Sequence, residues 1–201
     1  VSSASSLGAV IGILLSLSTL SIQALALVFG LIGVVLTLYI GKTRTKSSTI
    51  MLILAGLVVS SLTNALSSLL KYTADPTDKL PAISYWLMGS FARSSYKNLM
   101  LSAPLIIFGI ILIRLLIFKL NIMSLSEDEA KSLGVNVKKT RLIFIFASTL
   151  ITASSISMCG QVGWIGLIIP HMARMMVGAN NTHTLPISLS LGASLMVLIE
   201  A

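Results

Sequence analysis

Continuous apolar runs of about 20 residues recur along this chain, and about 20 such residues are what an α-helix needs to cross the hydrocarbon core of a bilayer. The runs do not alternate apolar with polar, which excludes the strand pattern of a membrane β-barrel. A polytopic bundle of membrane helices is the fold class that remains. Composition agrees: of 201 residues, 55% are hydrophobic and 10% charged, with a mean hydropathy of +0.98, far from the balance of a soluble domain.

Residues of about 5 to 20 and 22 to 40 read as two apolar segments separated by only Ser21 and its neighbours, a tight helical hairpin. In the first, Gly8-x-x-x-Gly12 permits close helix approach. The basic turn Gly41 to Lys46 follows, then a third segment from about Thr49 to Leu70 and a break at Asp75-Pro76. Ile83 to Phe91, with Tyr85, Trp86 and Phe91, is too short to span and suits an outside helix lying at the interface. A fourth span covers about Leu99 to Phe118, and a fifth about 142 to 159, preceded by Lys138, Lys139 and Arg141. Gly160 to Arg174 is broken by glycine and proline and reads as a short or partly re-entrant span. Asn180-Asn181 makes a turn before a last span from near Leu185, which brings the expectation to about seven membrane segments.

Nine of the fourteen basic residues fall in 42–46 and 114–141, against four in 71–97, which places the first two regions in the cytoplasm. The net charge of +8 is therefore a topology signal. No aromatic-interleaved basic surface points to nucleic acid. The chain begins at Val1 and ends inside an apolar run, so both ends are read as cut; Val1 to Ser6 lack the basic start of a cleavable leader.

One stretch departs from all this. Leu125 to Gly134 is an acidic island holding Glu127, Asp128 and Glu129, half of the six carboxylates. Ser126 and Glu129 have the spacing of a capping box. Acidic residues in the first turn favour the helix dipole, and Gly134 is a natural stop. A short capped helix in a cytoplasmic loop predicts a partner in the aqueous phase.

Candidate chemistry is sparse. The single Cys159 excludes an internal disulfide and a multi-cysteine metal site, and reads as a small buried apolar residue. His171, beside Pro170 and near Arg174, invites a proton-relay or metal reading. A lone histidine without a carboxylate or cysteine at ligand spacing builds no metal site, and an arginine at a span end can snorkel, so the bland reading is preferred and no metal is expected. His183 belongs to a polar turn. Ser60, Asn64, Ser67 and Lys71 recur at spacings of four, three and four, one face of the third span. Such a stripe either joins helices or lines an aqueous path. The chain has no Gly-x-x-x-x-Gly-Lys-Ser/Thr phosphate loop and no nucleophile motif, so neither ATP hydrolysis by that route nor another enzyme activity is expected, and no bound cofactor.

The order of these pieces resembles the permease subunit of the ABC importers for ferric siderophores, haem and cobalamin, the FecCD-like family. Four stretches carry the resemblance: Val1 to Gly8, Tyr85 to Ser90, Glu129 to Val137, and Gly163 to Arg174. Departures are Ala4 where the family often has Gly, and Gln161 and Trp164 in place of Pro and Phe. The resemblance implies an internal fragment of a longer permease, residues 1–201 forming a single transmembrane domain. The island aligns as Asp128-Glu129-Ala130 and Gly134 with the family motif of Glu-Ala-Ala, three residues and Gly, although Glu129 stands at the middle Ala. Ser126, Glu127, Asp128, Glu129, Ala130, Leu133 and Gly134 would then form the coupling helix that docks on the ATPase.

By the same resemblance, Ser60, Asn64 and Ser67 border the translocation pathway, and Gly163, Gly166, Pro170, His171 and Arg174 form a motif segment. The implied partners are a second permease subunit (homo- or heterodimer), two cytoplasmic ATPase subunits carrying ATP and magnesium, an extracytoplasmic binding protein, and the lipid of a bacterial or archaeal plasma membrane. The implied cargo is an iron-siderophore, haem or cobalamin-like chelate, moved inward by alternating access. The rivals are an ion- or proton-coupled secondary transporter, which the broken segment also suits but which lacks paired intramembrane carboxylates, and an intramembrane enzyme, which lacks a catalytic set.

Overall fold

The structure is a computed structural model that describes residues 1–42, 49–90, 95–161, 163 and 165–200. Residues 43–46 of the basic turn, together with Phe91 and Trp164, lie outside the described residues. Among the described residues the fold is all-α. Its helices are α1 (Ser2–Leu14), α2 (Thr19–Ile40), α3 (Thr49–Tyr72), α4 (Lys79–Met88), α5 (Tyr96–Leu115), α6 (Ile117–Ile122), α7 (Glu127–Ser132), α8 (Val137–Cys159), α9 (Ile165–Val177) and α10 (Asn181–Glu200). Two compact units are distinguished, residues 1–106 with 149–161, and 107–148 with 162–201.

In the first unit α1 packs against α2, α3 and α4, and it is buried continuously from Ala4 to Val10. Small residues make this close packing available. A Cβ on Gly8 would lie 2.6 Å from the Leu25 carbonyl oxygen, and one on Gly12 would lie 3.0 Å from Ile22. Gly30 is pressed against Ser5 of α1 and Ala153 of α8. Where no water is displaced, such dispersion contacts are the main attraction between helices. The hairpin turns between Leu15 and Ser18, a few residues before Ser21. Ser18 caps α2 by accepting a hydrogen bond from Ser21 N–H at 3.4 Å, so Ser21 lies in the first turn.

The break after α3 is an Asx turn: the Asp75 carboxylate accepts from Thr77 N–H at 2.8 Å and from Thr77 Oγ1 at 2.6 Å. Those bonds, the hydroxyl first, hold the Asp75 carboxyl below its ordinary value. The α4 helix begins at Lys79, four residues earlier than expected, because Pro81 falls within the first turn, where its missing donor costs nothing. Ile83 is fully buried with Val10 and Ala74, and Leu70, Leu80 and Leu87 pack around them. That helix is therefore docked on α1, beyond the interfacial role the aromatic residues implied.

In the second unit α10 packs against α9 and α6. The fourth span stops at Leu115 rather than Phe118; Leu116 breaks the helix and α6 resumes from it. Asn136 caps α8 by accepting from Lys139 N–H at 3.1 Å, so Lys138, Lys139 and Arg141 sit inside the first turns of α8. The last helix likewise starts at Asn181, earlier than Leu185.

By length and composition α2, α3, α5, α8 and α10 can cross a membrane, five spans among the described residues. The expected count was about seven. Both α1 and α9 have 13 residues, about 20 Å at 1.5 Å per residue, against a hydrocarbon core of about 30 Å.

Candidate functional site

The acidic island folds as its residues dictate. Ser126 Oγ accepts from Glu129 N–H at 3.3 Å, while Ser126 N–H and Oγ–H donate to Glu129 Oε2 at 3.0 and 2.8 Å. This is the capping box expected from the Ser-x-x-Glu spacing. The bonds from Ser126, side chain first and backbone second, hold the Glu129 carboxyl below its ordinary value. Gly134 takes φ +76 with open space around it, and its N–H donates to the Lys131 carbonyl at 2.9 Å.

The short α7 is held from below and bare above. Ala130 is 1% exposed, and Val135, whose N–H donates to the Ala130 carbonyl at 3.1 Å, is buried as well. Glu127 Oε1 accepts from the Arg141 guanidinium at 2.9 Å, tying the first turn of α7 to α8. Leu133 is 59% exposed and Leu125 is 50% exposed. The Asp128–Lys131 pair, 3.4 Å apart and open to solvent, contributes little by itself. The result is a stiff acidic helix flanked by two leucines, with no polar group committed to covering them.

The polar stripe on α3 divides. Ser60 Oγ shares a hydrogen bond with Ser3 Oγ of α1 at 2.8 Å. Ser67 is buried and donates to the Thr63 carbonyl at 2.9 Å, whereas Asn64 is exposed. The motif segment also divides: Gly166, Pro170 and Arg174 line a groove of about 420 Å³ between α9 and α10, opposite Asn181, Thr184 and Ser188. Gly163 and His171 are exposed and outside that lining. Among the described residues no cluster of three metal-ligating side chains occurs.

Two features were not foreseen from the sequence. Gly89 and Gly160, both at positive φ (+69 and +80), lie back to back, and Ser90 N–H donates to the Cys159 carbonyl at 2.8 Å. This junction joins Tyr85 to Ser90 to the start of the broken segment, two stretches that the sequence singles out separately and does not connect. Beside it lies a cavity of about 290 Å³ lined by Gln23, Lys79, Tyr85, Trp86, Asn98 and Ser157 among others. Gln23 is 2% exposed, and neither its Nε2 nor its Oε1 has a hydrogen-bond partner among the described residues. Lys79 Nζ donates to the Leu14 carbonyl, setting a cation at the C-terminus of α1 where the helix dipole favours it.

An all-α membrane bundle with a rigid capped helix between two of its spans defines the class. The profile of the FecCD transport family matches residues 1–201, and the chain belongs to that family. It is 39% identical over its whole length to a molybdate import permease protein of Haemophilus influenzae, of which it covers 59%. It is 33% identical over 74% of its length to the Fe(3+) dicitrate transport permease protein of Escherichia coli, covering 44% of that relative. A solved ABC transporter described as being of metal-chelate type, in an inward-facing conformation, superposes with a TM-score of 0.91 at 37% identity, over 99% of this chain and 64% of that one. The chain thus spans about three-fifths of the length of the first of these relatives.

Proposed function

We propose that this chain is the pathway-forming permease of an ABC importer in a prokaryotic plasma membrane, and that its cargo is a metal-containing chelate or oxyanion. The observation that carries the reading is α7. Its capping box and its tie to Arg141 make it stiff, and its exposed Leu133 and Leu125 offer apolar contact to an aqueous subunit. A rigid helix can transmit rigid-body motion between docked parts, which a flexible loop cannot. Two cytoplasmic ATPase subunits, with ATP and magnesium, would supply that motion. A second permease subunit and an extracytoplasmic binding protein complete the assembly.

The cargo reading rests on the relatives. One is named for molybdate and another for ferric dicitrate, so the siderophore, haem or cobalamin-like chelate expected from the sequence is widened to include an oxyanion. Along α3, Ser60 joins α1 through Ser3 and the buried Ser67 is satisfied by its own helix, and Asn64 is the member of the stripe that borders the pathway. The groove at Gly166, Pro170 and Arg174 belongs to the part of the permease that changes shape, since Pro170 deprives α9 of one internal bond.

The test uses the full-length protein with Cys159 replaced by Ser, and single cysteines at Asp128 and Leu133, both exposed. Glu129 is left intact because it closes the cap. Crosslinks to a co-expressed ATPase subunit that change with nucleotide are the expected result. Free reaction of both positions with water-soluble thiol reagents, without crosslinks, would leave a secondary transporter as the better reading.

A further inference from the structure

The turn between α9 and α10 is wired with unusual completeness. Gly178, at φ +82, ends α9 and donates its N–H to the Arg174 carbonyl at 2.9 Å. Asn180 Oδ1 accepts from Thr182 N–H at 3.0 Å. The buried Thr184 hydroxyl lies 3.0 Å from the Gly178 carbonyl and 2.9 Å from that of Asn180, bridging the turn.

Onto this turn closes a side chain from 59 residues upstream. The Asn121 amide, in the last turn of α6, donates Nδ2–H to Asn180 Oδ1 at 3.0 Å and to Thr182 Oγ1 at 3.3 Å. Its Oδ1 accepts from Asn181 N–H at 3.0 Å, satisfying one of the free donors that open α10. Both halves of the amide are used, and the orientation is determined. Asn180 Oδ1 already accepts from Thr182 N–H, so a reversed Asn121 would set oxygen against oxygen there and NH2 against the Asn181 N–H.

In the other direction α6 runs into α7 without slack. The N–H groups of Met123, Ser124 and Leu125 donate to the carbonyls of Lys119, Asn121 and Ile122 at 3.0, 3.1 and 3.1 Å, and Ser126 then caps α7. All of these residues belong to one compact unit.

We infer that Asn121 is the positioning residue that makes α7 and the α9–α10 turn move as one body, so that a displacement imposed on α7 reaches α9 and α10. The inference rests on the proposed docking of an ATPase on α7. The chain of bonds has a weak point: every link but one is backbone hydrogen bonding or a cap within a local turn, and the long-range link is the Asn121 amide. Removing it leaves α6, α7 and the turn each internally bonded, with only the non-directional packing of α6 on α10 to hold them in register. Asn121→Asp keeps the acceptor for Asn181 N–H, and so the start of α10, but sets a carboxylate oxygen against Asn180 Oδ1.

The experiment uses the full transporter in lipid nanodiscs, in the Cys159→Ser background, with spin labels at Asp128→Cys on α7 and Ser190→Cys on α10. The α7–α10 distance is measured without nucleotide and with ATP and vanadate, alongside the Leu133→Cys crosslink to the ATPase. With Asn121 present the distance is expected to stay the same in both states. With Asn121→Ala it should shift between them by about 2 Å or more, the scale of a helix displacement at an interface, while crosslinking persists. Asn121→Asp, with oxygen facing oxygen at Asn180, should shift as Asn121→Ala does. Mere loss of stability would broaden the distribution in both states alike and produce no nucleotide dependence. A distance that changes with nucleotide in the parent, or one that stays constant in Asn121→Ala while crosslinks persist, would overturn the inference alone. Absence of crosslinks in the parent would remove the docking reading and this inference together.

Discussion

At the scale of single residues, the membrane interior makes small differences in side chain decisive, and glycine supplies the clearest contrast. Gly89, Gly160 and Gly134 all hold positive φ, but only the first two are pressed against backbone: Gly89 against Gln161, and Gly160 against Trp86 and Gly89. Gly134→Ala should cost only the backbone strain, about 1–2 kcal/mol. Gly89→Ala and Gly160→Ala add a steric conflict that local adjustment cannot absorb, and should lower the melting temperature of the detergent-solubilised protein clearly more. Equal shifts at all three would mean that the close approach contributes nothing. Gln23 offers the opposite case. A buried amide with neither atom partnered among the described residues carries a desolvation penalty, so the near-isosteric Gln23→Met should raise stability by about 1 kcal/mol. A fall in melting temperature would show that the amide makes bonds in its cavity that matter for the fold.

At the scale of the element, α7 stands on a cap that titrates. The folded-state value of Glu129 is held below its ordinary one, so its contribution is complete above the usual carboxylate range and is lost as pH falls through the lowered value. Once the intrinsic slowing of exchange at lower pH is divided out, protection of the α7 amides should therefore fall on acidification by more than in Glu129→Gln; parallel profiles would count against the cap. Ser126→Ala should loosen the helix at every pH by about 1 kcal/mol, roughly fivefold in opening. This element was legible in the sequence because all its determinants, Ser126, Glu129 and Gly134, lie within nine consecutive residues. So was the Gly8/Gly12 approach, and so were most of the spans. Element ends were less legible, since capping by Ser18, Asn136 and Asn180 added turns that hydropathy does not register. The Asn121 link, the Gly89–Gly160 junction and the Gln23 cavity were not legible. Each joins positions tens of residues apart, and nothing local in the chain marks the partner.

At the scale of the whole molecule, the placement of acidic groups separates ATP-driven import from proton-coupled transport. A proton-coupled carrier needs carboxylates that exchange protons within its spans. Here Asp75 and Asp78 lie in the connection between α3 and α4, and Glu127, Asp128 and Glu129 lie in and around α7. Only Glu200 falls in a long apolar helix, at its very end. Among the described residues no pair of acidic side chains sits within a span, and under the proposed function the energy enters from outside the bundle, through α7. Under the proposed function, cargo uptake by cells expressing the full transporter should persist when an uncoupler collapses the proton gradient while ATP is maintained. It should cease when ATP is depleted under an intact gradient. The reverse pattern would detach α7 from energy supply, and it would turn attention to the groove at Pro170 and Arg174 as the moving part of a gradient-driven carrier.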